Sequence, residues 1–128
     1  VDRVTVADRV AAFELALSET MRVGTAVQVV ATQRSGTAVS IVSIRRRPYG
    51  LSISVAERAR GRWSSRGVWA PDCVELPAVS VRRSDEGVAV RVADREVLGL
   101  ADGGVDLRVE LYGVPVDTVA LQSVQPSR

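Results

Sequence analysis

At 128 residues, with 46% hydrophobic and 25% charged side chains and a net charge of +2, the chain is expected to fold as one soluble domain over residues 1–128. All 17 basic residues are arginines, with no lysine and no histidine. Catalytic triads and dyads built on imidazole, Schiff-base chemistry, Ser–Lys dyads and P-loop phosphate binding are therefore excluded, because arginine stays protonated and shuttles no proton.

A lone cysteine, Cys73, makes no internal disulfide and no zinc site, and it reads as a small apolar residue near a strand. No metal or other cofactor is expected. No apolar run approaches the roughly 18 residues of a membrane span, and the first residues lack the pattern of a signal peptide. The expectation is a cytoplasmic protein with no membrane partner. Twenty-five valines against five aromatic residues favour strands, where β-branched side chains pack well.

In chain order, Val6, Val10, Phe13, Leu17 and Met21 recur at spacings of three and four, which predicts a helix over about residues 6–22. Thr5 with Asp8 stands where a cap belongs, and Gly24 where a helix stops. A rival reading is a strand over FELAL, where Phe13, Leu15 and Leu17 alternate. After Gly24 the period becomes two. TAVQVVATQ and TAVSIVSIRRR around RSG predict an antiparallel hairpin, apolar on both sides. RRRPYG then turns the chain into a third strand, LSISVAE.

The stretch RARGRWSSRGVW, residues 58–69, has no clear period and contains two glycines, so it reads as a long loop. Four further strands are predicted in CVELPAVSVRR, GVAVRVA, VDLRVELYG and VDTVALQSV, with Pro77 marking the first as an edge or bulged strand. The fold expected is α+β: one N-terminal helix packed on an antiparallel sheet, or partly closed barrel, of six to seven strands.

Charge is segregated along the chain. Residues 34–83 carry a balance of +7, residues 84–128 one of −4 and residues 1–33 one of −1. Such asymmetry points to an anionic partner or to complementary faces in an oligomer; its plain alternative is solvated surface charge.

The candidate anion or nucleic-acid site is Arg45, Arg46 and Arg47 together with Arg58, Arg60, Arg62, Trp63 and Arg66. Guanidinium groups fork onto phosphate oxygens, and an exposed Trp63 can stack on a base. Trp69, beside Pro71, reads instead as a core anchor.

Carboxylates are the only groups left for catalysis. Asp85 with Glu86, and Asp94 with Glu96, sit beside turn signals, and Asp102 with Asp106 offer too few oxygens for calcium. The function expected is a non-catalytic assembly or protein-binding module, a homo-oligomer or bound to a protein partner. The alternative is an arginine-mediated module for nucleic acid or a phosphate ligand, with a carboxylate enzyme last.

Overall fold

The computed structural model describes residues 2–7, 10–17, 22–113 and 119–124. Eleven strands form two antiparallel sheets, and the described residues contain no helix. In chain order these are β1 (Asp2–Val6), β2 (Ala12–Leu17), β3 (Ala26–Gln33), β4 (Val39–Arg47), β5 (Gly50–Ala59), β6 (Arg62–Trp69), β7 (Val79–Ser84), β8 (Gly87–Val92), β9 (Arg95–Leu100), β10 (Val105–Tyr112) and β11 (Val119–Val124). The six-stranded sheet runs β1-β10-β3-β4-β5-β6, and the five-stranded sheet runs β11-β2-β7-β8-β9. The fold is thus all-β, which corrects the expected α+β class and its single sheet or barrel.

The first correction concerns residues 6–22. Val6 ends β1 and faces Leu107 of β10, whereas Phe13 and Leu17 lie in β2 opposite Ser123 and Val119 of β11. Their helical spacing arises because two inward-facing strands are joined by a short crossover between sheets. The alternation of Phe13, Leu15 and Leu17, all buried, is the pattern that decides, as the rival reading had it.

Thr5 is no cap; it sits in β1 opposite Arg108. Asp8 and Met21 lie outside the described residues. Gly24 does mark a turn, at φ +88°. The crossover is held by Arg83 of β7, whose guanidinium donates to the carbonyls of Ala7, Val10 and Val105. One side chain thereby ties β7 to both β10 and the β1–β2 connection.

The strands pack as they do because each alternates. Val42 and Ile44 of β4 and Leu51, Ile53 and Val55 of β5 are essentially inaccessible. They meet Phe13, Leu15, Val79, Val81 and Val90 from the other sheet in one core cluster. Each such side chain contributes about 1.5–3 kcal/mol on burial. The second sheet supplies the cover that a helix was expected to give.

Three more strands depart from expectation. RARGRWSSRGVW is no loop but the end of β5, a two-residue turn and β6. REVLGL, unassigned in the sequence reading, is β9. The strand predicted from Cys73 begins only at Val79, past Pro77, and β7 is an interior strand between β2 and β8. The segment 116–118 of the last predicted strand lies outside the described residues. No helix among the described residues is long and apolar enough to cross a membrane.

Candidate binding face

The β5–β6 hairpin turns on Arg60 and Gly61, both left-handed at φ 54° and 76°, the geometry of a tight turn that matches strand twist. Because side chains alternate, pairing with β5 sorts the charged stretch into two sides. Trp63 lies opposite Arg58 and Ser65 opposite Ala56, on the solvent face of the six-stranded sheet. Arg62, Ser64 and Arg66 lie opposite Ala59, Glu57 and Val55, on the side of the core.

The solvent face of β4, β5 and β6 is a floor of serines, Ala56 and Gly67, with Ile41 beside Ala56 between the serine rungs and Arg58. Ser43 pairs with Ser54 and Arg45 with Ser52 across β4 and β5, and Gly67 pairs with Ser54 across β5 and β6. At one end stands Trp63, 54% exposed, with the Arg58 guanidinium 5.5 Å from its ring centroid. That distance falls within cation–π range. At the other end stands Arg45, exposed. Arg58 lies six residue steps along β5 from Ser52, a span of about 20 Å at about 3.3 Å per residue. Glu57 points to the other side, and at the Arg45 end the exposed carboxylate of Asp72 is paired with Arg47.

The structure does not bring the whole predicted set together. Arg45, Arg46 and Arg47 lie at the far end of β4 from the hairpin turn, next to Ser52, Leu51 and Gly50. Arg46 donates to the Gly50 carbonyl at 3.1 Å, while its Nε is buried without a partner. Arg47 is committed to structure: it reaches the carbonyls of Leu51, Ala70 and Pro71 and pairs with Asp72 at 3.0 Å. Arg58 and Trp63 meet, Arg60 sits on the turn, and Arg62 and Arg66 share the opposite side of β6. Trp69 is half-buried against the core beneath Arg95, as an anchor should be, and Cys73 is half-buried against the same core.

The other half of the face is balanced. Glu110 of β10 is only 5% exposed, although it lies on the solvent side. It accepts from Arg108 at 2.8 Å and from the Tyr112 hydroxyl at 2.7 Å, and it pairs with Arg3 at 3.3 Å. Burial by itself would raise its pKa, but these hydrogen bonds and the two guanidinium charges outweigh that and hold the carboxyl below the usual range. The same bond raises the Tyr112 hydroxyl above its ordinary value.

Sequence reasoning missed Glu110, which alternation alone places on an outward position. The serine floor was also missed, because serines in strands carry no distinctive pattern.

Elsewhere, acids stand apart. Asp102 accepts from the Gly104 amide and from Gln33, whereas Asp106 pairs with Arg34. No three potential metal ligands cluster among the described residues. A cleft of about 260 Å³ opens between the sheets near Gln33, Ser40 and Asp102, lined otherwise by small apolar residues such as Ala31 and Ala38. It contains none of the arginines.

No family model and no curated protein matches the chain. Among solved structures, a singly substituted human galectin-16 superposes with a TM-score of 0.50 at 11% identity, covering 96% of this chain and 95% of that one. A doubly substituted human galectin-16 has a TM-score of 0.49 at 11% identity, over 96% and 95% of the two chains. A sheep galectin-11 in complex with glycerol has a TM-score of 0.46 at 11% identity, over 94% and 95%. At this identity the first of these likenesses speaks for the fold, a sandwich of the galectin kind, and for nothing finer.

Proposed function

We propose that the chain is a non-catalytic binding module that takes an extended acidic carbohydrate on the solvent face of β4, β5 and β6. The observation that carries this reading is the exposed Trp63 under Arg58, at the end of a floor of Ser43, Ser52, Ser54 and Ser65. An indole face packs against the C–H face of a sugar ring. Serine hydroxyls both donate and accept, and a guanidinium offers five donors in a fixed fork, so ring hydroxyls find partners along the floor.

Arg58 and Arg45, about 20 Å apart by strand rise, suit carboxylate or sulfate groups spaced along a short oligosaccharide. The sandwich it shares with galectins, lectins by name, adds support at the level of fold.

Glu110 is poorly suited to act as a general acid. A general acid needs a carboxyl held above its usual range, and Glu110, the buried acid, is held below it. Nucleic acid, the other polyanion with sugars, is less well served: single-stranded binders use several aromatic platforms and a long basic groove, and here one tryptophan and two arginines face solvent together.

The test is calorimetric titration with a panel of uronic or sulfated oligosaccharides, their neutral counterparts and a single-stranded oligonucleotide. Acidic sugars should bind in a salt-dependent way, and Trp63→Ala should weaken binding about tenfold or more, the equivalent of about 1.4 kcal/mol. No binding at millimolar sugar, or equal binding by Trp63→Ala, would overturn the proposal. Tighter binding of the oligonucleotide would move the ligand class to phosphate.

A further inference from the structure

We propose that the open edge of β6 is a docking strand for an acidic, extended segment of a partner protein, independently of the sugar reading. Among the described residues, β6 ends its sheet and pairs with β5 alone. Its turn residues are Arg60 and Gly61, so Ala59 and Arg62 form the hydrogen-bonded pair that closes the hairpin, and bonding alternates from there. The backbone N–H and C=O groups of Trp63, Ser65 and Gly67 therefore point away from β5 to the open side. All six residues from Arg62 to Gly67 are exposed. That length suits pairing with an added strand, whose main chain supplies the complementary donors and acceptors.

Charge decides the occupant. Arg60, Arg62 and Arg66 flank this edge, and among the described residues none of them has an ion-pair partner. The edge strand β1 differs, since its Arg3 is matched by Glu110, and on β9 the Arg95 guanidinium lies over the Trp69 ring.

A second copy would bring Arg62 and Arg66 again, with no acid on β6 to meet them. Two β6 strands paired about Ser64 would set Arg62 against Arg66, and like charges directly opposite destabilise a sheet. The same arginines that deter self-pairing favour a strand bearing Asp or Glu at alternate positions, on the side of Arg62 and Arg66. A nucleic acid would satisfy the charges but not the alternating row of amides and carbonyls.

The probe is a fluorescein-labelled peptide of four Glu-Thr repeats, read by anisotropy. Its control is four Glu-Pro repeats, with the same charge but without every second amide. The Glu-Thr peptide should bind and the control should not. Ser65→Pro removes an outward amide without breaking a bond to β5, so it should weaken binding about tenfold. Ser65→Ala should leave binding unchanged, and replacing both Arg62 and Arg66 by serine should abolish it.

Circular dichroism checks that each variant folds. On the parent protein, amide exchange at Trp63, Ser65 and Gly67 should slow when the peptide is present. Equal binding of both peptides, preference for an oligonucleotide, or unchanged exchange at those three amides would overturn the proposal. Trp63→Ala, which removes the sugar platform and keeps the amide, separates failure of this inference from failure of the sugar reading.

Discussion

Glu110 shows how a charged residue can be buried on the outer face of a sheet. Its two oxygens are met by Arg3, Arg108 and Tyr112, so both charge and lone pairs are satisfied where water is largely displaced. Glu110→Gln leaves these donors short of an anion, and it should lower unfolding free energy by about 1–2 kcal/mol in urea titration. A folded pKa below the unfolded value stabilises the native state above the ordinary carboxylate range, near 4.3. That contribution is lost as pH falls through the folded value.

The parent protein should therefore lose more stability between pH 6 and pH 3 than Glu110→Gln does. Tyr112 acts in the opposite sense. Its raised pKa supports a contribution that is complete below about pH 10 and lost as pH rises through the folded value. Tyr112→Phe should flatten that alkaline limb in the same titration. None of this was legible beforehand, because no pattern in the chain announces that an outward Glu will find two guanidinium groups and a phenol around it.

At the scale of elements, legibility followed alternation. β4, β8 and β10 were read correctly as strands, because each alternates over six or more residues and is bounded by turn residues, and so was β3, which is apolar on both sides. β1 and β2 were read as one helix, since a strand, a crossover and a second strand placed Val6, Val10, Phe13 and Leu17 at helical spacing by coincidence. β6 was read as a loop for a physical reason: an edge strand exposed on both sides needs no apolar alternation, so RWSSRG shows none.

Its strand character comes from the turn before it. Gly61 at φ 76° has no Cβ to strain, whereas a β-branched residue there is costly. Gly61→Val should destabilise the protein by about 1 kcal/mol or more and disorder the hairpin, visible as lost cation–π contact between Arg58 and Trp63 and a shifted tryptophan emission. Arg60 carries the same left-handed strain, so Arg60→Gly should be neutral or slightly stabilising.

For the whole molecule, the five-stranded sheet explains why the valine-rich hairpin needs no helix above it. Leu51 is fully buried between the sheets, and Leu51→Ala should cost about 2–5 kcal/mol, a large share of the roughly 5–15 kcal/mol that holds an ordinary domain folded. The segregation of charge noticed in the sequence resolves into geometry. Part of the basic block ties β4 to the 70–72 segment through Arg47, part lines the β6 edge, and part stands over the serine floor beside Trp63. Spacing alone could not divide the eight candidate residues among those places, because the division depends on which side of β5 each one faces.

The central claim, that the solvent face of β4, β5 and β6 is the ligand site, is tested most directly by titrating the isotope-labelled protein with an acidic oligosaccharide and following amide and indole resonances. The Trp63 indole should shift together with Ser43, Ser52, Ser54, Arg58 and Ser65, and no resonance across β7, β8 and β9 should move. Shifts confined to the cleft at Gln33 and Asp102, or an unmoved Trp63 indole at saturation, would contradict it.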